Sequence, residues 1–165
     1  MAALSVLSLL SAACARAPEA SLPGAAVPLP VGLDTRVLRV VDGDTIVVAG
    51  GHSVRLIGVD TPETKDPRRP VQCYGREAAA FLSSLLPKGT AVRLVGDEEP
   101  RDVYDRALAY AYRLPDGLFV NAELVRNGYA QVLTIPPNVA HSEEFVALAA
   151  DARNANRGLW SACSS

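Results

Sequence analysis

Two carboxylates stand beside apolar, β-branched runs in this sequence. Asp44 precedes residues 45–48, TIVV, and Asp60 follows residues 56–59, LIGV. Adjacent strands would bring these side chains together, and two carboxylates at short range repel unless a cation joins them. Oxygen ligands suit a hard divalent ion, so the pattern favours calcium over a thiolate-binding metal. Asp42 of the same DGDT run has a simpler interpretation, because Asp-Gly is a common hairpin turn.

Further polar residues near this pair have the chemistry to act on a phosphate ester. Glu63, three residues beyond Asp60, could orient or deprotonate a water molecule. The planar guanidinium groups of Arg55 and Arg106 could bridge phosphate oxygens and stabilise charge that builds on phosphorus. Tyr104 could bond the same phosphate. The structural alternatives are surface ion pairs for the arginines and packing against the fold for the tyrosine.

Composition limits the class of protein. The chain has 165 residues, of which 49% are hydrophobic and 21% charged, as expected for one globular domain. Its net charge of −2 provides no overall cationic field, which counts against strong non-specific binding of nucleic acid. Only two histidines are present, and no Cys/His cluster indicates zinc.

Turn signals and periodicity predict an α+β fold. Residues 36–60 predict three strands in a meander, and residues 91–99 and 106–120 predict two more, the latter turning at PDG. Residues 75–87, GREAAAFLSSLLP, predict a helix that Pro87 stops. Five short strands with a helix after the third indicate a small closed barrel of the OB type. An α+β sandwich is the alternative.

Capping signals predict two further helices. The run NAELVRNG, residues 121–128, predicts a short helix that Gly128 closes at the C′ position. Residues 142–158 predict a longer helix with Ser142 as its N-cap and Gly158 as its terminator. The whole order is three strands, a helix, two strands and two helices.

Six segments resemble, in order and approximate spacing, those of the staphylococcal (micrococcal) nuclease or thermonuclease family: VVDGDTIVV, VRLIGVDTPET, YGREAAAFL, RDVYDRALAYAY, VNAELVRNGYAQV and ANRGLW. The resemblance extends over residues 35–160 and implies a five-stranded OB-fold barrel with three α-helices. It implies calcium-dependent hydrolysis of DNA and RNA that cuts the 5′ P–O bond and leaves 3′-phosphate ends. The implied calcium ligands are the carboxylates of Asp44 and Asp60 and the carbonyl of Thr61.

The same resemblance implies roles for the remaining site residues. Glu63 would be the general base or the residue that positions water. Arg55 and Arg106 would clamp the phosphate and stabilise the transition state. Tyr104 matches a tyrosine that bonds the substrate phosphate. The presence of the whole set favours an active enzyme over a degenerate binding copy.

The chain departs from the family pattern beside Arg106. It reads VYDR where the family has KYGR, so that Val103 removes a cation and Asp105 adds a negative charge. A second binding-site tyrosine is expected near Thr134 and is missing. Because an aromatic platform contributes about 1–3 kcal/mol per base, we expect weaker nucleotide binding and stronger inhibition by salt.

The N-terminal segment predicts export. Residues 1–17 are apolar and then rich in small residues, which is typical of an export signal. A lipoprotein signal acylated at Cys14 is an alternative, and an apolar tail on a cytosolic protein is another. Residues 18–33, rich in Pro, Ala and Gly, predict a linker to a nuclease-like domain at residues 34–163. The expected location is therefore secreted, with or without a membrane anchor.

The two remaining cysteines could form a disulfide. Once Cys14 is removed or acylated, Cys73 and Cys163 form an even pair in an oxidising compartment. A disulfide between them would join the C-terminal tail to the barrel, and two unpaired thiols are the alternative.

The leading hypothesis is thus an exported calcium-dependent nuclease acting on DNA and RNA, with a preference for single-stranded or unpaired regions. One alternative is a non-catalytic barrel that binds nucleic acid or protein, and another is a cell-surface structural module. No feature indicates a protein partner, so a monomer is expected.

Overall fold

The computed structural model describes residues 32–64, 70–114 and 116–163. The predicted export segment at residues 1–17, including Cys14, lies outside the described residues, as does the predicted linker up to residue 31. Within the described ranges, every helix is too short or too polar to cross a membrane.

β-branched and apolar residues form seven strands in the described part of the chain. Their bounds are β1 Leu33–Asp42, β2 Thr45–Val48, β3 Ser53–Leu56, β4 Gly58–Asp60, β5 Ala91–Val95, β6 Ala107–Arg113 and β7 Gln131–Leu133. Five of them close a barrel in the order β1-β2-β3-β6-β5, with β5 pairing back onto β1. All pairs in the barrel are antiparallel except β3 with β6. The predicted five-stranded barrel is confirmed, and the sandwich alternative is excluded.

The third predicted strand is broken in two. Ile57 separates β3 from β4, and Gly58, the first residue of β4, has a φ of +78°, a conformation that residues with a Cβ rarely adopt. After this break, β4 leaves the barrel and pairs antiparallel with β7. β7 lies in a segment for which the sequence predicts no strand. The break turns Asp60 away from the barrel wall and places it at the end of a separate two-stranded sheet.

Four helices surround the barrel in the described residues: α1 Gly75–Leu85, α2 Val120–Arg126, α3 Ser142–Asn154 and α4 Leu159–Ala162. α4 is an addition to the three expected helices. Gly128 closes α2 as predicted, with a φ of +72° and its N–H donating to the carbonyl of Val125.

Both capping predictions for the long helix are wrong. Ser142 is the first helical residue and His141 occupies the N-cap position, where no side chain accepts a capping hydrogen bond. The helix ends at Asn154, four residues before Gly158, which instead precedes α4. Ser142 thus located the start of the helix to within one residue, but the backbone conformation places His141 at the N-cap.

The barrel interior and the inner faces of the helices share one apolar core. Its largest fully buried side chains include Phe145 of α3, Leu124 of α2 and Leu82 of α1. Asn121, also fully buried, accepts a hydrogen bond from the N–H of Ala111 at 2.9 Å and donates to the carbonyl of Ile57 at 2.8 Å. This side chain joins α2 to β6 and to the break between β3 and β4.

Candidate active site

The turn between β1 and β2 places Asp44 against the chain that follows β4. Asp44 Oδ2 accepts hydrogen bonds from the backbone N–H of Thr61 at 3.0 Å and from its hydroxyl at 2.9 Å. A Cβ on Gly43 would lie 2.7 Å from the Thr61 hydroxyl oxygen, so only glycine permits this approach. Asp44 and Thr61 are both buried. The predicted proximity of the two strand ends is therefore present.

Arg55 lies between the two predicted calcium carboxylates. The antiparallel pairing of β2 and β3 sets Arg55 opposite Thr45, next to Asp44. One terminal nitrogen, Nη2, contacts Asp44 Oδ2 at 3.2 Å and Asp60 Oδ1 at 3.1 Å. The other, Nη1, donates to the carbonyls of Leu56 at 2.8 Å and Val59 at 2.7 Å. One guanidinium thus contacts both carboxylates and offsets one of their two negative charges.

Asp60 nevertheless remains in an unfavourable electrostatic environment. Partial burial raises the pKa of its carboxyl group, the Arg55 guanidinium lowers it, and the negative charges of Asp44 and Glu63 raise it again. The net effect is a raised pKa. Burial is the largest cause of this raised pKa, and the Arg55 guanidinium offsets only part of it.

Asp42 and Glu63 extend the acidic cluster. Asp42 is buried and accepts hydrogen bonds from the N–H of Gly43 at 2.8 Å and the hydroxyl of Thr64 at 2.9 Å. Burial raises its pKa, these donors lower it, and the neighbouring Glu63 carboxyl raises it. Its net pKa is raised. The turn-forming role predicted for Asp42 is present, but the residue also contacts the site.

A second arginine is held by the loop before β6. Arg106 Nε donates to Asp102 Oδ2 at 2.6 Å, and the Arg106 backbone N–H donates to Asp102 Oδ1 at 2.9 Å. The guanidinium carbon lies 5.4 Å from the centre of the exposed Tyr104 ring. Asp105 pairs instead with Arg101, at 3.1 Å. The carboxylate beside Arg106 is therefore Asp102, whose side-chain contact the sequence did not indicate.

Arg55 and Arg106 line one cleft with a volume of about 300 Å³. Its other walls are largely apolar and include Tyr104, Leu133 and Ile135. Ile135 is 60% exposed and Leu133 is 38% exposed, so aliphatic side chains line the cleft on the β7 side, near the expected second tyrosine. The cleft offers two cations and an apolar wall to the same ligand.

The donor set suits a hard divalent cation. Within the described residues, no three His, Cys, Asp or Glu side chains form a metal-binding group. The donors that do converge are the carboxylates of Asp44 and Asp60, both within 3.2 Å of one Arg55 nitrogen. Two carboxylates without nitrogen or sulfur ligands fit calcium or magnesium, which complete their coordination with carbonyl groups and water. A zinc site would need different donors.

The sequence identified most of the residues that meet here. Asp44, Asp60, Thr61 and Arg55 are in direct contact, and Glu63 lies beside them. Three contributors were missed or given a lesser role, namely Asp42, Asp102 and Gln72, whose side-chain oxygen accepts a hydrogen bond from the Glu63 N–H at 2.8 Å. The acidic DGD run was a usable signal for Asp42, whereas Gln72 and Asp102 act through contacts that no local pattern reveals.

Comparison with protein families gives one match over most of the chain. A family model described as "Staphylococcal nuclease homologue" matches residues 53–162. The chain is 48% identical over 105 residues to a thermonuclease of Staphylococcus intermedius, covering 62% of this chain and 61% of that protein. It is 39% identical over 129 residues to a thermonuclease of Staphylococcus hyicus, covering 76% of this chain and 75% of that protein.

A similar protein from another genus matches over a comparable length. The chain is 36% identical over 127 residues to "Endonuclease YncB" of Bacillus subtilis. That match covers 74% of this chain but 59% of the relative, which is therefore longer than the shared region.

Proposed function

The chain belongs to the staphylococcal nuclease family, and from that premise we propose that it is a calcium-dependent nuclease. It hydrolyses phosphodiester bonds of DNA and RNA and leaves 3′-phosphate ends. The observation that supports this most directly is the meeting of Asp44, Asp60 and Arg55, with Arg106 in the same cleft as Arg55. A barrel used only for binding has no need of acidic residues crowded beside two arginines.

The two arginines bind the phosphate and stabilise its developing charge. Arg106 donates to Asp102 from both its Nε and its backbone N–H, so its guanidinium is oriented before substrate arrives. Arg55 is held by the carbonyls of Leu56 and Val59. Donors oriented in advance toward charge that builds on phosphate oxygens are commonly the largest contribution to such a reaction.

Glu63 acts as the general base. It accepts a proton from the water molecule that attacks phosphorus while the bond from phosphorus to the 5′ oxygen breaks, and the departing oxygen takes a proton from solvent. Asp44, Asp60 and the Thr61 carbonyl would hold calcium, which would supply Lewis-acid stabilisation of the phosphate charge. The hydrogen bonds of Asp44 to Thr61 keep this carboxylate in place.

The substrate preference follows from the cleft. Its apolar wall, which includes Tyr104, Leu133 and Ile135, contacts bases that have left the helical stack. We therefore propose a preference for single-stranded or unpaired regions. The aliphatic side chains provide weaker stacking than tyrosine would, so the affinity for nucleotides is low.

Export and a monomeric state belong to the same proposal. The apolar segment at residues 1–17 supports export, and a disulfide between Cys73 and Cys163 supports an oxidising compartment. If residues 1–17 are a lipoprotein signal, acylation of Cys14 anchors the exported protein to the membrane.

The test is digestion of single-stranded DNA with calcium and with a chelator. Glu63→Gln and Arg106→Ala should each lower kcat by about 10²–10³-fold, because each removes a group that acts in the transition state. The matched controls are Glu144→Gln on α3 and Arg93→Ala on β5, which remove the same chemical groups from surface ion pairs.

Equal cleavage with and without the chelator would contradict the calcium assignment. Absence of cleavage together with retained DNA binding would favour the non-catalytic barrel. The departures from the family pattern at Val103 and Asp105 are the features that favour a catalytically weak site.

A further inference from the structure

We propose that Gln72 is a positioning residue for Glu63, and that the disulfide between Cys73 and Cys163 anchors it to the barrel. The inference rests on the proposed role of Glu63 as general base. It assigns a function to two features outside the predicted site, a surface glutamine and the covalent link next to it.

Gln72 holds both backbone polar groups of Glu63. The Glu63 N–H donates to Gln72 Oε1 at 2.8 Å, and the Gln72 N–H donates to the Glu63 carbonyl at 3.0 Å. These two hydrogen bonds tie the backbone of Glu63 to Gln72 and limit the backbone rotation of Glu63. The direction of the Glu63 side chain is therefore tied to the position of Gln72.

The next residue is held from the opposite direction. Thr64 donates its hydroxyl hydrogen to Asp42 Oδ1 at 2.9 Å, at the end of β1. Glu63 thus lies between one contact to the barrel and one contact to Gln72. The hydrogen bonds from Thr64 to Asp42 and between Glu63 and Gln72 together restrain the backbone around Glu63.

The disulfide links the residue next to Gln72 to the C-terminal end of the described chain. Cys73, the neighbour of Gln72, is bonded to Cys163, with the two Cα atoms 5.8 Å apart. Cys163 directly follows α4, whose first residue, Leu159, donates its N–H to the carbonyl of Gly128 at 2.8 Å. Gly128 ends α2, the helix that Asn121 joins to the barrel.

The covalent link matters because Gln72 lies at the surface. Its side chain is exposed, so water competes with the hydrogen bond to Glu63. A hydrogen bond at such an exposed site restrains Glu63 only if Gln72 is already held close to it. The disulfide supplies that proximity by bonding Cys73, the neighbour of Gln72, to Cys163 at the end of α4. General-base catalysis depends on this precision, since small displacements of a reacting group reduce rates strongly.

The test compares Gln72→Met with Gln72→Glu in the full-length protein. Methionine keeps the length and removes the acceptor, whereas glutamate restores an acceptor oxygen in the same position. Gln72→Met should lower kcat roughly tenfold on single-stranded DNA with KM within about twofold, and Gln72→Glu should recover most of that loss. Glu144→Met, on α3, removes a surface acceptor of similar length away from the site and is the control.

Reduction of the disulfide provides a second, independent arm. A dithiol reagent breaks the S–S bond to give two thiols and is itself oxidised to a disulfide. Below the unfolding temperature, with the circular dichroism spectrum unchanged, reduction should lower kcat in the wild type by a similar factor. In Gln72→Met it should add less than about twofold, because linked groups are non-additive. Fully additive effects would show that the disulfide does not act through Gln72.

Amide hydrogen exchange separates failure of this inference from failure of the proposed function. The Glu63 amide should exchange roughly tenfold faster in Gln72→Met than in the wild type, whether or not the protein cleaves DNA. A wild type that cleaves DNA while Gln72→Met keeps full kcat would overturn the positioning role. A wild type that never cleaves would overturn the proposed function, and unchanged exchange at Glu63 would then overturn the inference as well.

Discussion

At the scale of single residues, the site concentrates negative charge that the fold only partly neutralises. Arg55 contacts both Asp44 and Asp60, yet the pKa of Asp60 is still raised, first by burial and then by Asp44 and Glu63. Such an arrangement costs stability, and binding of the proposed calcium ion would offset that cost. The carboxylates proposed to bind calcium are therefore expected to destabilise the protein when calcium is removed.

Replacement of Asp60 should separate stability from activity. Because the folded state raises the pKa of Asp60 above its ordinary 3.8, stability from this group is present at low pH and is lost as pH rises through that raised value. At neutral pH with a chelator, Asp60→Asn should therefore raise Tm by about 2 °C, a small effect because the side chain is 57% exposed.

The control for Asp60→Asn is the same thermal unfolding experiment with calcium. Calcium should raise the Tm of the wild type more than that of the variant, and nuclease activity should fall in the variant. A lower Tm for Asp60→Asn in the chelator would show that its contact with Arg55 outweighs the repulsion.

At the scale of elements, side-chain hydrogen bonds join loops to strands beside the apolar core. Asp97, after β5, accepts hydrogen bonds from the Tyr110 hydroxyl of β6 at 2.9 Å and from the N–H of Ala140 at 3.1 Å. Burial raises the pKa of Asp97, but these donors and the N–H of Glu98 lower it below 3.8 overall. One carboxylate thus connects β5, β6 and the segment that leads into α3.

Removing the tyrosine donor should weaken this connection in a pH-dependent manner. A lowered carboxyl pKa contributes stability that is present above pH 3.8 and is lost as pH falls through the lower, folded value. Tyr110→Phe should reduce the free energy of unfolding by about 1 kcal/mol at pH 7. The difference from the wild type should shrink as pH falls below about 3.8.

Urea unfolding at several pH values measures this change. Tyr112→Phe, on the same strand, is the matched control. Burial and the charge of Glu144 raise the pKa of Tyr112, and no hydrogen bond to a carboxylate contributes to that shift. A constant difference between Tyr110→Phe and the wild type across the pH range would show that Asp97 titrates independently of Tyr110.

At the scale of the whole molecule, a barrel of short strands is closed by contacts between distant parts of the chain. β5 pairs with β1, and the disulfide joins residues separated by 90 positions. A cross-link over so long a loop limits the unfolded chain far more than the folded one. The prediction of a Cys73–Cys163 disulfide is confirmed, and the alternative of two unpaired thiols is not.

Loss of the disulfide should destabilise the fold without changing its architecture. Cys73→Ser with Cys163→Ser should reduce the free energy of unfolding by about 4 kcal/mol, measured by denaturant unfolding. The wild type in a reducing agent should show the same midpoint as the double variant. Midpoints that are equal in oxidised and reduced wild type would show that the link adds no stability.

Local sequence patterns predicted much of this fold because strand alternation, helix periodicity and turn residues depend on near neighbours. They predicted the barrel strands, α1 and the Gly128 stop. They failed for β7 and α4, which are short and form only because β4 and Gly128 are already in place to pair with them. Ser142 was also assigned the wrong cap position.

Residue types near strand ends were enough to identify Asp44, Asp60, Arg55 and Glu63 as the candidate chemistry. Their mutual arrangement was not readable from those patterns. The position of Arg55 between the two aspartates, and the hold of Gln72 on Glu63, depend on distances between segments that only folding brings together. The sequence shows which residues carry a charge. Which charges pair is decided only by the folded structure, because electrostatic energy depends on separation in space and on burial.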